Sequence, residues 1–532
     1  MKKYYNHIIL LIVVVVISTG CKRQLTDLYN DPDQTTDPSI TKLFTEILDN
    51  ERVRPNYWEI RTFVAMQTGI YTQSLSYLNT PAVYQQNPSY SADRWNDFYR
   101  NASNGSGAMS QYRAMEYAYS QLATPADRAQ MDVFMQAAKV AWLDQASQLV
   151  DMWGDIPFFK AGILPSSGEL VYSPFDDAAT IYRYILDELK KAADYFTNRQ
   201  LPDGIQGTFS QQDILLHGDI QKWHRYCNSL RLRLWMRISN YDEPTARTEV
   251  LNILNNPTLF PLLQGDDGYF PDLHDILLKP LSTYTDNLYS ALTELTNYSA
   301  PREMLDDKMK PSNDPRIPVL FDKFGKMVND VFYPNADYNG LPNDLPGEAQ
   351  QPIIGNYAIL DSATFLLNTK LPGIVMTAAE VNFLKAEAFE RWGGGDAKAY
   401  YERGIRQSIT FYYYLNSLNT ITRAPLIPPG ATIINTFLQQ PAIAYDAAPS
   451  ERLEKIATQK WIHFGFLQSV QSWSEIRRTG YPELDFFPST FPGAELPPTR
   501  LVYPSSETSY NPHYSAVKDK DVRTGKIFWQ TR

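Results

Sequence analysis

Residues 127–157 read DRAQMDVFMQAAKVAWLDQASQLVDMWGDIP. Apolar side chains recur there every three or four residues, which is the spacing of one helix face. That face contains Val133, Ala137, Val140, Ala141, Ala146 and Leu149. Gly154, Asp155 and Pro157 then end the pattern. We therefore predict a helix over residues 127–152, whose apolar face needs other helices to cover it.

The next segment has the pattern of a partner helix. Ser173 is predicted as its N-cap, Pro174 as its first residue and Asp176 as the acidic member of a capping box. Apolar residues continue at helical spacing to about residue 196. The two segments therefore predict one helix pair.

Similar pairs recur along the chain. The further pairs are predicted over 219–239 with 244–255, 377–392 with 396–414, and 450–464 with 468–478. Thr377, Asp396 and Ser450 are their clearest predicted caps. Although no strict 34-residue period is present, four such pairs predict an all-α fold of stacked, tetratricopeptide-like units.

Long irregular segments interrupt these pairs within what we predict to be a single domain, residues 40–532. The largest is a loop-rich insertion over about 256–376, rich in Pro, Asn, Asp and Tyr. Segments of this length without regular structure are usually functional in compact proteins. The insertion is therefore a candidate for part of a binding surface.

The N-terminus has the pattern of a bacterial lipoprotein signal. Lys2 and Lys3 precede an apolar run over residues 8–17, and small residues then lead to Cys21. A ten-residue helix would span only about 15 Å, about half of a bilayer core. We predict a signal peptide over 1–20, lipidation of Cys21, and a polar tether over 21–39. Ordinary cleavage, with Cys21 incidental, is the alternative.

Composition excludes several functional classes. The net charge of −10 disfavours nucleic acid as a partner. Cys227 is the only cysteine besides Cys21 and sits among apolar residues, so we predict a buried, structural side chain. We expect no bound metal or cofactor, since His217 and His224 are too widely spaced for a compact chelate.

An enzyme would need a catalytic constellation that the sequence does not display. It contains no Gly-x-Ser-x-Gly elbow, no P-loop and no His-Glu-x-x-His helix. A pair of carboxylates for glycoside hydrolysis has no sequence signature, because only its spacing in space matters. We therefore predict a binding protein rather than an enzyme.

Aromatic residues in the loops are the best candidate ligand contacts. A Tyr ring can cover the apolar face of a sugar or a peptide side chain, while its hydroxyl still makes polar contacts. The predicted ligand-binding residues are Tyr77, Tyr84 and Tyr90 in the first loop and Tyr333, Tyr338 and Asn339 in the insertion. For each tyrosine, an anchoring role against the helices is the alternative.

The chain resembles the SusD/RagB family, in particular its SusD-like branch, over essentially its whole length after Cys21. The resemblance rests on a series of short sequence blocks. None of these blocks identifies the family by itself, but their order along the chain is specific. The blocks are 30–33 (NDPD), 94–99 (RWNDFY), 149–157 (LVDMWGDIP), 218–219 (GD), 222–223 (KW), 229–234 (SLRLRL), 313–316 (NDPR), 339–342 (NGLP), 379–381 (AEV), 385–388 (KAEA), 459–462 (QKWI), 473–482 (WSEIRRTGYP) and 500–504 (RLVYP).

This resemblance implies a lipid-anchored nutrient-binding protein of the outer membrane. Such proteins capture a glycan or peptide and deliver it to a SusC-like TonB-dependent transporter, and their fold contains four tetratricopeptide-like pairs. The resemblance implies a cell-surface location. Lys22 and Arg23 follow Cys21, where acidic residues help surface export in some such lipoproteins, so outward and periplasmic facing both stay open. The alternatives are a lipid-anchored glycan-degrading enzyme and a helical-repeat scaffold of the envelope.

Overall fold

The computed structural model describes residues 39–102, 105–266, 268–280, 290–291 and 298–531. The predicted signal peptide and Cys21 lie outside these residues. The longer α-helices are α1 Ile40–Leu48, α2 Pro88–Tyr99, α3 Ala108–Ser120, α4 Pro125–Trp153, α5 Ala178–Phe196, α6 Asp203–Gln212, α7 Ile220–Arg237, α8 Glu243–Asn255, α9 Ala378–Trp392, α10 Ala397–Ser417, α11 Ala431–Leu438, α12 Pro449–Phe464, α13 Ser469–Thr479 and α14 Ser505–Tyr510.

Short helical turns connect these elements. The short α-turns are Gly69–Tyr71, Leu164–Ser167, Pro271–His274, Ile317–Leu320 and Gly347–Gln350. The π-helices are Glu59–Thr68, Glu303–Met309 and Ser362–Leu366, and the 3₁₀ turns are Lys310–Ser312, Gln351–Asn356, Pro512–Ala516 and Lys518–Lys520.

The strands form small two-stranded antiparallel sheets. They are β1 Asn101–Ala102, β2 Gly105–Ser106, β3 Ile156–Pro157, β4 Phe175–Asp176, β5 Ile276–Leu278, β6 Phe321–Asp322, β7 Gly325–Val328, β8 Val331–Pro334, β9 Ile359–Leu360 and β10 Gly373–Met376. The pairs are β1–β2, β3–β4, β5–β10, β6–β9 and β7–β8. In the β7–β8 hairpin, Lys326 lies opposite Tyr333 and Met327 opposite Phe332.

The four predicted helix pairs are confirmed as α4 with α5, α7 with α8, α9 with α10, and α12 with α13. Successive pairs also contact each other, since α7 packs on α5 and α9 packs on α12. In α10, Gly404 faces the Phe383 ring of α9 so closely that an added Cβ would lie 2.8 Å from it. The all-α prediction of stacked pairs is therefore confirmed.

Two predicted helix caps are wrong. Helix α5 begins at Ala178, and its N-cap is Asp177, whose carboxylate accepts a hydrogen bond from the Thr180 amide at 2.9 Å. Asp176 lies in β4 and instead accepts from the amides of Phe158 (2.9 Å) and Phe159 (2.8 Å). Its carboxylate is therefore committed to the end of β3, and the helix begins at Ala178 instead of at the predicted Pro174.

The second wrong cap is at α12. Ser450 lies inside the first turn of α12, because the helix begins at Pro449 after Ala448, whose side chain makes no capping hydrogen bond. Proline at the first helical position loses no hydrogen bond, since that amide has no partner within the helix. The helix itself is found where it is predicted.

A buried ion network connects the helix pairs. Arg478 in α13 binds both carboxylate oxygens of Glu387 in α9 at 2.7 Å, and it also contacts Glu475 at 2.6 Å. Lys460 in α12 and Arg237 in α7 complete the surroundings of Glu475. Although burial raises it, the pKa of Glu387 is held at about 2 by Arg478 and Lys460. The charges are therefore compensated inside the core.

Cys227 is buried in α7, as predicted. Its Sγ lies 3.0 Å from the carbonyl oxygen of Leu189 in α5, and burial raises the pKa of the thiol to about 12. A protonated thiol is a poor nucleophile. The residue therefore acts as a small apolar side chain between two helices.

Within the described ranges, none of the helices combines the length and apolar character that a bilayer crossing requires.

Candidate ligand-binding site

The loop over residues 72–87 connects the first π-helix to α2 and contains Tyr77 and Tyr84. It is held by its own polar side chains. The Asn79 amide donates to the carbonyl oxygens of Asn343 (3.0 Å) and Leu345 (2.8 Å) in the insertion. At the loop's end, Asn87 caps α2 by accepting from the Ser89 amide at 3.0 Å. The loop is therefore a fixed platform.

The first depression, which we name cleft A, lies between this loop and the π-helix. Its volume is about 320 Å³, and its walls include Met66, Tyr77, Val83, Gln85, Pro88 and Tyr298. The Tyr77 and Tyr298 ring centroids are 4.8 Å apart with an interplanar angle of 39°. The Tyr298 hydroxyl lies 2.9 Å from the Met66 sulfur. The two rings therefore form a paired aromatic wall.

The rim of cleft A is polar. Gln85 is exposed, and its side-chain amide makes no hydrogen bond to another described residue. Gln86 is already used, because it donates to the Val502 carbonyl oxygen (3.2 Å) and accepts from the Val502 amide (2.9 Å). Gln85 therefore has a free donor and acceptor for a ligand beside the aromatic wall.

A second depression, cleft B, lies on the other side of the same loop. It has a volume of about 490 Å³ and is lined by Asn79, Pro81, Gly347, Glu348, Gln351 and Phe487, among others. The Gly347 amide donates to the Asn79 carbonyl oxygen at 2.9 Å, and a Cβ at residue 347 would lie 3.0 Å from that oxygen. Glycine therefore allows the insertion to approach the loop closely.

Thr80 lines both clefts, so they lie on either side of a shared ridge. Together they offer an aromatic wall, a third ring in Phe487, and amide and carboxylate groups at Gln85, Gln351 and Glu348. Ring faces with polar groups at their edges can hold a molecule that has both apolar faces and hydroxyl or amide groups.

The three tyrosines predicted in the first loop lie in three different environments. Tyr77 lines cleft A. Tyr84 is 3% exposed, with its ring against Phe486 at 5.8 Å, and burial raises the pKa of its hydroxyl. Tyr90 lies in the first turn of α2, half-buried, outside the lining of either cleft. Only Tyr77 of this group therefore has its ring in a cleft.

The predicted residues of the insertion lie outside clefts A and B. Lys310 Nζ donates to the Tyr338 carbonyl oxygen (2.6 Å) and to Asn339 Oδ1 (3.2 Å). The Tyr338 ring lies below Lys323 Nζ, 5.2 Å from its centroid. These two residues therefore take part in internal contacts of the insertion.

Tyr333 is different because it is 51% exposed on the β7–β8 hairpin. Its cross-strand partner Lys326 contacts the 3₁₀ turn Gln351–Asn356, donating to Asn356 Oδ1 at 3.2 Å. The same turn supplies Gln351 to cleft B. Tyr333 therefore lies on the hairpin face that is turned toward the elements of cleft B.

Sequence reasoning missed Tyr298 and Phe487. Tyr298 belongs to the insertion over 256–376, which is predicted to be functional, but no local pattern distinguishes it from the other aromatic residues there. Phe487 lies in the irregular C-terminal part of the chain. The residues of the 72–87 loop that share a cleft with them are more than 200 residues away for Tyr298 and more than 400 for Phe487, so only folding brings them together.

Among the residues described, no group of three or more His, Cys, Asp or Glu side chains could hold a metal ion.

Solved structures share this fold. A chitin-binding protein matches with a TM-score of 0.69 at 23% identity, covering 92% of this chain and 99% of its own. A SusD homologue from Bacteroides uniformis gives a TM-score of 0.68 at 20% identity, with 93% and 99% covered. A chitin-binding SusD homologue from Flavobacterium johnsoniae gives 0.66 at 22%, also with 93% and 99% covered.

At these identities, the solved structures establish the fold alone. Curated protein sequences contain no match to the chain. The family whose model matches is SusD-like, described as starch-binding and associating with the outer membrane, and the match runs over residues 31–504. Since it covers most of the sequence, including the loop, the insertion and all four helix pairs, the chain belongs to the SusD-like family.

Proposed function

We propose that the chain binds an oligosaccharide in clefts A and B and passes it on without chemical change. The observation that carries this proposal is the Tyr77–Tyr298 wall beside the free Gln85 amide, in a chain of a family described as starch-binding. Two structural relatives are named as chitin-binding, which also favours a glycan over a peptide.

The chemistry of the clefts suits a sugar chain. A pyranose ring has apolar faces that can lie on Tyr77, and its hydroxyl or acetamido groups can reach Gln85. Cleft B would hold further sugars beside Phe487, with Gln351 and Glu348 as polar partners. We include Tyr333 as an outer contact and leave out Tyr84, whose ring is buried. Tyr90, Tyr338 and Asn339 line neither cleft, and a role for them in ligand binding stays a prediction.

The direct test is Tyr77→Ala, titrated calorimetrically with maltoheptaose and with N-acetylchitohexaose. Loss of one stacking ring should weaken binding of the preferred probe about five- to tenfold. The melting temperature should change little, because Tyr77 is only half-buried and the loop is held by Asn79 and Asn87.

Tyr117→Ala is the matched control, because Tyr117 is a half-exposed tyrosine of α3 that lines neither cleft. It should leave both affinities unchanged. An unaltered affinity in Tyr77→Ala would contradict the location of the site, and release of new reducing ends from either probe would contradict the absence of catalysis.

We also propose that lipid on Cys21 holds the protein at the outer membrane, facing the cell surface. The family description supports the location. One acyl chain binds a membrane only marginally, so stable attachment needs two or three chains on this residue. Cys21→Ser should move the protein from the membrane fraction to the soluble fraction, and unchanged fractionation would contradict the anchor.

A SusC-like TonB-dependent transporter is the proposed partner. The β7–β8 hairpin offers it an apolar surface, since Met327 and Phe332 lie opposite each other on the face away from Tyr333 and are both exposed. Exposed apolar patches of this kind often mark protein contacts.

Affinity purification of the native protein from membranes tests this partnership. We expect the transporter to be recovered with the native protein and its yield to fall in Met327→Ser/Phe332→Ser. Recovery of a stable monomer without a transporter would contradict the partnership, whereas full recovery with the double variant would contradict the hairpin as its contact.

A further inference from the structure

A third depression, cleft C, lies at the opposite end of α2 from cleft A. Cleft A includes Pro88, the first residue of α2, whereas cleft C includes Tyr99, the last. The helical rise of about 1.5 Å per residue separates these positions by about 16 Å along the axis. Cleft C shares no lining residue with clefts A and B and has a volume of about 310 Å³. It is therefore a separate site.

Two tyrosines form exposed walls of cleft C. Tyr172, before β4, is 58% exposed, and Tyr510, at the end of α14, is 77% exposed. Neither hydroxyl makes a hydrogen bond to another residue in the part of the chain that the structure describes. Exposing two large rings in one concavity has no benefit for folding, because their apolar area stays in water.

The cleft is held in shape by fixed hydrogen bonds. The Asn511 side-chain amide donates to the Ser173 carbonyl oxygen (3.0 Å) and to Glu507 Oε2 (2.9 Å), which joins the two walls. On the floor, the Tyr99 hydroxyl donates to the Pro157 carbonyl oxygen at 2.9 Å. A ligand would therefore meet a preformed surface and would have to order little of it.

Among the described residues that line cleft C, Glu507 is the one charged side chain. Asn511 binds one oxygen of Glu507, and the other oxygen, Oε1, has no partner among the described residues. A carboxylate oxygen accepts strong hydrogen bonds from hydroxyl groups. It also repels anions. Ring faces for stacking and a free carboxylate therefore suit a polyhydroxylated molecule and disfavour an anionic one.

We propose that cleft C is a second saccharide-binding site, which takes one or two neutral sugar rings on Tyr172 and Tyr510 with their hydroxyls on Glu507. The choice of a glycan rests on the proposed function, whereas the site itself is independent of clefts A and B. Its small volume, at the lower end for ligand cavities of about 300–1,000 Å³, fits a short saccharide.

The experiment uses calorimetric titration and saturation-transfer NMR with maltoheptaose and N-acetylchitohexaose. Three variants of the full chain are compared with the unaltered protein. In the cleft A variant, Tyr77→Ala removes a stacking ring and Ala82→Trp fills the cleft with a larger side chain. In the cleft C variant, Tyr172→Ala and Tyr510→Ala remove both aromatic walls. The third variant combines all four changes. Ile427→Ala, an exposed apolar residue that lines none of these clefts, is the control.

We expect the cleft A variant to keep a weak binding event for the preferred probe, and the cleft C variant to lose only that event. The single changes Tyr172→Ala and Tyr510→Ala should each weaken it about fivefold. A trimer of galacturonic acid should not bind in cleft C, because Glu507 repels its carboxylates. Since Tyr172 and Tyr510 are exposed, these variants should fold normally.

The outcomes separate this proposal from the proposed function. If the cleft A variant loses all binding, or if the cleft C variant binds like the unaltered protein, cleft C is not a saccharide site and the proposed function stands. If only the cleft C variant loses binding, cleft C is confirmed and the location in clefts A and B is wrong. Binding of neither probe by any form overturns both. A cleft C variant that loses the transporter instead of sugar would reassign the surface to a protein contact.

Discussion

Tyrosine has opposite roles in the helix stack and on the loop side. In the stack, Tyr226 is buried and its hydroxyl donates to Asp144 at 2.5 Å, while Tyr182 donates to Asp151. On the loop side, Tyr77 lies in an open cleft, and Tyr510 projects into solvent with a free hydroxyl. The residue type is the same, but the hydroxyls of Tyr226 and Tyr182 are already satisfied within the protein, whereas that of Tyr510 is not.

The charged groups differ in the same way. Glu475 is enclosed by Arg237, Lys460 and Arg478 in the core, whereas Glu348 and Glu507 line clefts. A buried charge without a partner is strongly destabilising, but a carboxylate at a cleft edge is hydrated until a ligand arrives. If the clefts bind the ligand as proposed, stability and recognition depend on separate regions, and changes in each region should affect only one property.

The largest expected effect is that of Glu475→Ala. It leaves Arg237, Lys460 and Arg478 with too few negative partners in the core, so the free energy of unfolding should fall by about 3–5 kcal/mol. Urea denaturation measures this. Glu348→Ala in cleft B is the control and should change the stability by less than about 0.5 kcal/mol. Equal losses of stability in the two variants would show that core and cleft carboxylates do not differ in their structural role.

The two classes of tyrosine can be compared by removing only the hydroxyl. Tyr226→Phe deprives Asp144 of a buried donor and should cost about 1–3 kcal/mol of stability. Tyr77→Phe should leave the free energy of unfolding unchanged, because no core group depends on that hydroxyl. Thermal denaturation measures the stability of both variants. A destabilised Tyr77→Phe would show that the hydroxyl of the loop tyrosine has a structural role.

The core should also respond to pH in a way that the loop side does not. Burial, with a contribution from Arg316, lowers the pKa of His463 from its ordinary 6.5 to about 3. Below pH 6.5, His463 takes up a proton in the unfolded chain but stays neutral in the folded protein. The free energy of unfolding is therefore highest above pH 6.5 and decreases as the pH falls toward 3. The loss is about 1 kcal/mol per pH unit.

Denaturation at pH 6.5 and 5.0 measures this effect as the difference between the unaltered protein and His463→Gln, in which it should be absent. His513, which is exposed in the C-terminal 3₁₀ turn, provides the control substitution His513→Gln. If His463→Gln keeps the full dependence on pH, another group is responsible.

The smallest effect is expected for an exposed ion pair on the helix stack. Lys190 and Asp194, one turn apart in α5, are 2.9 Å apart and both are about half exposed. Lys190→Ala should therefore cost at most about 0.5 kcal/mol, and less in high salt. A cost near that of Glu475→Ala would mean that burial does not distinguish the two kinds of charge.

The helix pairs could be predicted from local sequence patterns, because the apolar spacing and the capping residues of each helix lie within its own segment. The apolar period over residues 127–152 and the caps at Thr377 and Asp396 predict helices that are found at α4, α9 and α10. The N-cap of α5 was predicted less well, because several neighbouring residues could occupy the cap position. Asp176 accepts hydrogen bonds from the amides of Phe158 and Phe159, directly after β3, so Asp177 caps α5 instead.

The fold class and the four helix pairs could be predicted without the structure, because periodicity and capping depend on residues close together in the chain. The family resemblance needed only the order of the motifs along the chain. Which rings face a cleft could not be predicted, because that depends on how distant segments fold together. The Tyr77 ring packs on the Tyr298 ring, and Tyr172 and Tyr510 line the same cleft, although the members of each pair are distant in sequence. A ring's exposure depends on what the rest of the chain lays over it, and no local pattern carries that information.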